Sequence, residues 1–130
     1  MYRAHTVSVG IAVGPKDVYA YAANPANLPV WAPGFIRSIE QRGGSWVAQT
    51  SLGEVTFRFA AVNDFGVLDH DVDLPNGTVH NAMRVVPNGA GSEVLFTLIQ
   101  LPGVSDTQFQ QDMDTVRADL NKLRTVLERA

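Results

Sequence analysis

The chain of 130 residues contains no cysteine, and this absence excludes disulfide frameworks, thiolate metal sites and cysteine nucleophiles. Charged residues are sparse as well, since they make up 18% of the chain and give a formal net charge of -3 at pH 7. No block of lysines and arginines is present, so the positive surface that nucleic-acid binding requires is missing. No apolar run approaches the ~18 residues of a membrane span.

The first ten residues also lack the basic and apolar regions of a signal peptide. A chain without cysteine fits a reducing compartment, and we expect the protein in the cytoplasm. Hydrophobic residues make up 45% of the sequence, a balance typical of a globular fold with a buried core. Neither a repeat nor a linker divides the sequence, so we expect a single domain over residues 1–130.

Alternating side chains and turn residues predict the first elements. Between residues 4 and 13, most of the odd-numbered residues are apolar and the even-numbered ones are small or polar, a pattern that predicts a strand with one buried face. Gly14 and Pro15 end this strand, and proline suits the first turn of a helix because it has no N–H to lose there. Short helices are then predicted over residues 16–23 and 26–31.

Six strands are predicted between residues 35 and 101, because five short turns rich in glycine, asparagine and proline interrupt that stretch. Such residues suit tight hairpins, and short turns join antiparallel neighbours. We centre the turns between the middle strands at residues 64–65, 76–77 and 88–91. The side chains then predicted to lie opposite each other are Phe59 and His70, Arg58 and Asp71, His70 and Met83, Asp69 and Arg84, Asp73 and His80, and Met83 and Phe96.

This register gives each face of the sheet a consistent chemistry. Apolar side chains share one face around His70, while opposite charges pair across the strands on the other face. A slip of one residue would exchange the two faces, so both criteria support the same register. The apolar face is predicted to carry Phe57, Phe59, Leu68, His70, Val72, Met83, Val85, Val94, Phe96 and Leu98.

The longest predicted element is a helix from residue 106 to about residue 129. Ser105 and Gln108 have the spacing of a capping box at its start. Apolar residues recur along it at helical intervals of four and three. They are Phe109, Met113, Val116, Leu120, Leu123 and Leu127. No other element of the chain is large enough to cover the apolar face of the sheet, so we expect the stripe to pack there, although its heptad spacing also permits a coiled-coil homodimer.

The order of these elements resembles the helix-grip fold of the START-like superfamily, and within it the polyketide cyclase/dehydrase and lipid-transport (SRPBCC) group. The helical segment at residues 18–21 running into residues 24–31, and the run Gly44-Ser45-Trp46, strengthen the resemblance. It implies an α+β fold of order β-α-α-β6-α, in which a curved seven-stranded antiparallel sheet wraps around the long C-terminal helix and leaves a hydrophobic ligand cavity between them. The group includes carriers, ligand sensors and enzymes, so the resemblance does not decide the function.

His70 is the sharpest functional candidate, because its ionisable ring lies on an otherwise apolar strand face. A histidine titrates near neutral pH, so His70 could act as a general acid or base, or could orient a ligand through a hydrogen bond. The alternative is a core histidine whose hydrogen bonds are satisfied by a neighbour or by water.

Other candidates follow from the predicted pairing of the first strand with the last. This pairing places His5 near Leu98 or Gln100, with Asn81 close by, as a polar cluster at one end of the cavity or as a plug at the sheet end. Trp31 either gates the pocket or anchors the short helices. The predicted ligand-binding residues are His5, Trp31, Trp46, Phe57, Phe59, His70, Asn81, Met83, Phe96 and Met113.

The run Asp69-His70-Asp71 looks like a metal site, but neighbouring strand residues point to opposite faces and cannot chelate one ion. We therefore predict no metal and no cofactor. The leading interpretation is binding of a small hydrophobic ligand, such as a lipid, a polyketide or another apolar metabolite. One alternative is a cofactor-free cyclase or dehydratase in which His70 is the acid/base and Asn81 or His5 steers a carbonyl. Another is a helper module that binds a protein partner.

Overall fold

The computed structural model describes residues 1–129. In this range the elements follow the predicted order of one strand, two short helices, six strands and one long helix. They are β1 (Ala4–Ile11), α1 (Pro15–Ala22), a 3-10 turn (Pro25–Asn27), α2 (Leu28–Trp31), β2 (Ile36–Arg42), β3 (Ser45–Thr50), β4 (Gly53–Phe59), β5 (His70–Leu74), β6 (Gly77–Asn88), β7 (Gly91–Ile99) and α3 (Asp106–Arg129). The predicted fold class is confirmed. None of the described helices has both the length and the apolar composition needed to cross a membrane.

The described strands form one antiparallel sheet in the spatial order β1-β7-β6-β5-β4-β3-β2. The chain starts at one edge, reaches the other edge through α1 and α2, and returns strand by strand until β7 pairs with β1. The apolar stripe of α3 is buried in the core of the same chain, so it packs against the sheet as the first interpretation predicted. The buried residues of the stripe are Phe109, Met113, Leu120, Leu123 and Leu127.

Two parts of the predicted register are confirmed. Phe59 lies opposite His70 across β4 and β5, with Arg58 opposite Asp71. Across β6 and β7, Met83 lies opposite Phe96.

The predicted register between β5 and β6 is wrong by two residues. His70 lies opposite Asn81 rather than Met83. The two residues that form the turn are Pro75-Asn76, because Gly77 is already the first residue of β6 and has a φ of 143° that suits glycine alone. Moving the centre of a hairpin by one residue changes the pairing by two, so every side chain keeps its predicted face although its partner changes.

The shift also changes the charge pairs on the outer face. His80 lies opposite Asp71, and its Nδ1 is 2.6 Å from the Asp71 carboxylate. The Asp69 carboxylate accepts a hydrogen bond of 2.9 Å from the backbone N–H of Met83. Opposite charges still share this face, but not as the predicted pairs. The two predicted pairs that the structure replaces are Asp73 with His80 and Asp69 with Arg84.

Candidate functional site

A cavity of about 930 Å³ lies between the inner face of the sheet and α3, and it opens to solvent. Strands β4 to β7 supply one wall, while α2, the loop after it and α3 supply the other. Its volume lies within the range of small-molecule sites in proteins. Apolar residues of the wall include Leu28, Trp31, Phe57, Val72, Val79, Phe96, Leu98, Phe109, Val116 and Leu120.

The backbone of α3 comes nearest to the sheet at its edge strand. The helix packs most closely against β1 at the sheet edge, and less closely against β7 and α2. Leu123 and Leu127, in its C-terminal half, are buried in the core. Asp112 and Val116, in its N-terminal half, are only partly buried and line the cavity beside the buried ring of Phe109. On the inner face of the sheet, Phe57 and Val72 are buried, while the partly exposed side chains accessible to a ligand are those of His70, Asn81, Phe96 and Leu98.

His70 lies at the centre of the cavity wall, in a row of aromatic rings. Its ring centroid is 6.0 Å from that of Phe57, 5.8 Å from that of Phe59 and 6.0 Å from that of Phe96. Phe57 and Phe59 also stack on each other at 5.8 Å. These separations are within the range of favourable aromatic contacts. The alternation of β4 and β5 puts these rings on one face, as the sequence predicted.

The hydrogen bonds of His70 define its tautomer. Its Nδ1 is 3.1 Å from the carbonyl oxygen of Leu68, and a carbonyl only accepts, so Nδ1 carries the proton. The Asn81 amide nitrogen lies 3.4 Å from Nε2 and donates to it at long range. Burial lowers the pKa of His70, an effect that the Leu68 carbonyl and Asp69 partly oppose. At neutral pH, His70 is therefore a neutral ring whose acceptor nitrogen, Nε2, is paired with the Asn81 amide.

The predicted polar cluster of His5, Asn81 and Gln100 does not form. His5 lies opposite Leu98 as expected, but its side chain is exposed and does not line the cavity. The Gln100 amide donates to the carbonyl of Val104 and to the Asp106 carboxylate. Val104 lies in the loop before α3 and Asp106 is the first residue of that helix, so Gln100 holds the loop against the start of α3. Asn81 alone remains in the cavity wall, beside His70.

The other predicted residues divide between the cavity and the core. Trp31 lines the cavity, but its indole nitrogen is buried and has no hydrogen-bond partner within the described residues, so the ring contributes apolar surface. Phe59 and Met83 line a separate crevice of about 40 Å³ on the other side of His70. Met113, which was predicted to bind the ligand, is buried in the core and does not line the cavity. Trp46 faces inward opposite Phe57 and packs against the core without lining the cavity.

The sequence interpretation missed Asp119, a half-buried carboxylate of α3 in the cavity wall. Burial raises the pKa of Asp119 to about 6. The backbone N–H of Gly34 donates a hydrogen bond of 3.3 Å to the carboxylate, which lowers the pKa by a smaller amount. The loop at Gly34 approaches α3 so closely that a Cβ there would lie 2.8 Å from Thr115 and 3.1 Å from Asp119. The available signal was a polar row beside the apolar stripe: Asp112, Thr115 and Asp119 share one side of the helix.

The described residues contain no group of three or more histidine, aspartate or glutamate side chains arranged to hold a metal ion. The carboxylates of Asp69 and Asp71 lie on the outer face, near His80, whereas His70 faces inward. The polar groups of the cavity wall can contact a ligand through hydrogen bonds and charge.

Comparison with known proteins identifies the group to which this arrangement is related. The family model described as "Polyketide cyclase / dehydrase and lipid transport" matches residues 3–128. A START superfamily protein from Mycobacterium smegmatis has 12% identity, 97% coverage of both chains and a TM-score of 0.72. The Aha1 dimer from Colwellia psychrerythraea has 14% identity, covers 97% of this chain and 96% of its own, and has a TM-score of 0.76.

Ara h 8.0201 is similar over 100% of both chains, with 14% identity and a TM-score of 0.72. Identities this low show a shared fold and nothing about ligands. No curated protein is a significant match to the chain.

Proposed function

This chain belongs to the polyketide cyclase/dehydrase and lipid transport family, and we propose that it binds a small, mainly apolar molecule in the cavity between the sheet and α3. The observation that carries the proposal is the open cavity of about 930 Å³ with His70 in its wall. The family and the fold are consistent with binding of a hydrophobic ligand.

The composition of the wall supports an apolar ligand. Aromatic and aliphatic side chains from the sheet and α3 form most of it, and burying apolar surface gains ~25 cal/mol per Å². A two-ring molecule that buries about 200 Å² would gain about 5 kcal/mol before the cost of association. His70 and Asn81 then supply the few polar contacts that fix the orientation of a ligand. The catalytic role of His70 stays a prediction, and the lowered pKa makes this histidine a weaker base.

Filling the cavity tests the proposal. Leu98 faces inward on β7 and lines the cavity, while Leu95 lies on the opposite face of the same strand. We expect Leu98→Trp to lower the affinity for the neutral dye Nile red at least tenfold, because the indole occupies the ligand volume. Leu95→Trp is the matched control and should bind the dye as the wild type does.

Binding is measured by fluorescence titration, and native mass spectrometry of the purified wild type shows whether an apolar molecule co-purifies. Equal dye affinity of the two tryptophan variants, with both folded by circular dichroism, would contradict binding in this cavity.

A further inference from the structure

Several polar side chains of the cavity wall present hydrogen-bond acceptors to a ligand, beside the hydroxyls of Ser51 and Thr115, which can donate or accept. His70 uses its Nδ1–H on the Leu68 carbonyl, and its Nε2 accepts the long contact of 3.4 Å from the Asn81 amide nitrogen. Asn81 points its amide nitrogen toward that Nε2, which leaves the amide oxygen as its remaining acceptor. Asp112 and Asp119 add two carboxylates from α3. A ligand group that satisfies this set must donate hydrogen bonds.

The charge of the wall has one sign. Within the described residues, the cavity is lined by Asp112 and Asp119 but by no lysine or arginine. Asp119 accepts only the weak backbone hydrogen bond from Gly34 described above, and with a pKa of about 6 it is ionised at pH 7.5. His80 also borders the cavity, but its ring nitrogen lies against the Asp71 carboxylate on the outer face. A partly desolvated negative charge thus faces the ligand space without a cation beside it.

We propose that this cavity selects an apolar molecule whose polar head is an amine and discriminates against the corresponding carboxylic acid. An ammonium group supplies the missing positive charge and donates a hydrogen bond to Asp119. Such a charge-assisted hydrogen bond is stronger in a partly desolvated site than in water. A carboxylate in the same place would meet like charge and would leave the amide oxygen of Asn81 unpaired. The inference deepens the proposed function and depends on it, since it concerns the ligand of the same cavity.

The test compares three ligands that share one ring system and chain length: 2-(2-naphthyl)ethylamine, 2-(2-naphthyl)ethanol and 2-naphthylacetic acid. Each is titrated against the wild type loaded with Nile red, at pH 7.5 and low ionic strength, and displacement of the dye gives the dissociation constant. We expect the amine to bind at least tenfold more tightly than the acid, with the alcohol between them. Because apolar burial is nearly equal in the three, their order reports the head group alone.

Asp119→Asn identifies the residue responsible. In this variant the amine should lose affinity about tenfold, the acid should gain, and the alcohol should change by less than about twofold. Asp114→Asn removes the same formal charge from an exposed position of α3, where Asp114 is ion-paired with Arg117. This control should leave the three affinities nearly unchanged, because exposed charges are screened by solvent.

The outcomes separate the two proposals. If Nile red does not bind the wild type, the proposed function itself fails. If Nile red binds but the amine does not displace it, or the acid displaces it as well as the amine does, the function stands and the amine preference is refuted. Equal effects of Asp119→Asn and Asp114→Asn would assign any preference to net charge and would overturn the role of Asp119.

Discussion

Replacing Asp119 by asparagine should stabilise the protein at pH 7.5. The pKa of Asp119 rises from 3.8 to about 6 on folding, because burial disfavours its charged form. Since each pKa unit corresponds to ~1.36 kcal/mol, the shift sets a ceiling of about 3 kcal/mol on the cost of keeping this carboxylate ionised in the folded state. The side chain is only half-buried, so solvent screening reduces the effect and we expect a gain of about 1–2 kcal/mol.

The direction of the pH dependence of this stabilisation follows from proton linkage. Between pH 4 and pH 6 the folded protein holds a proton on Asp119 that the unfolded chain has released, so the contribution of this group to stability falls as the pH rises through that window. Asparagine has no charge to desolvate, and its side-chain oxygen still accepts the Gly34 N–H. The gain in Asp119→Asn should therefore be present at pH 7.5 and nearly absent at pH 4.

Urea denaturation at pH 4.0, 5.0, 6.0 and 7.5 measures the effect as a change in the free energy of unfolding. Asp114→Asn is the control, and we expect its free energy of unfolding to differ from the wild type by less than about 0.5 kcal/mol at each pH, because that aspartate is an exposed surface residue. The reasoning is refuted if Asp119→Asn is no more stable than the wild type at pH 7.5, or if its gain at pH 4 equals its gain at pH 7.5.

Two further predictions concern packing. Leu123 is fully buried on the inner side of α3, so Leu123→Ala should lower the free energy of unfolding by about 2–5 kcal/mol. Leu52 is 59% exposed, so Leu52→Ala should change the free energy of unfolding little, and equal effects of the two substitutions in urea denaturation would contradict the described core. Gly66 has a φ of 71°, and a Cβ there would lie 2.2 Å from the Val85 carbonyl oxygen, so Gly66→Ala should lower the melting temperature by several degrees. Gly43 also has a positive φ, of 59°, but open space around it, so Gly43→Ala serves as the control and should lose less.

The sheet could be predicted from the sequence because two independent patterns had to agree. Apolar alternation fixed the face of each strand, and the turn residues fixed approximate hairpin positions. The position of one turn could not be read with equal accuracy, since both Pro75-Asn76 and Asn76-Gly77 suit a tight turn. The choice between them depends on the φ of Gly77, a property of the folded backbone. That choice decided whether Asn81 or Met83 lies beside His70.

The residues of the site were predicted less well than the fold, because cavity contacts depend on where α3 lies over the sheet. The periodicity of the helix showed which side faces the protein but not that it lies closest to β1. Met113 was therefore placed near the ligand and is in the core instead. Asp119 was overlooked because a charged residue beside an apolar stripe normally faces solvent, and its desolvation comes from a loop more than 80 residues away in the sequence.

The ionised carboxylate of Asp119 is the common cause of two predicted effects, one on folding stability and one on the choice of ligand. An ionised Asp119 without a cation costs folding free energy, and the same unpaired charge is what an amine would neutralise. A ligand that binds only the folded state stabilises it in proportion to the logarithm of its concentration over its dissociation constant. The amine should therefore raise the melting temperature of the wild type more than that of Asp119→Asn, although the variant is more stable without ligand. A residue that served packing alone would give the same ligand-induced shift in both proteins.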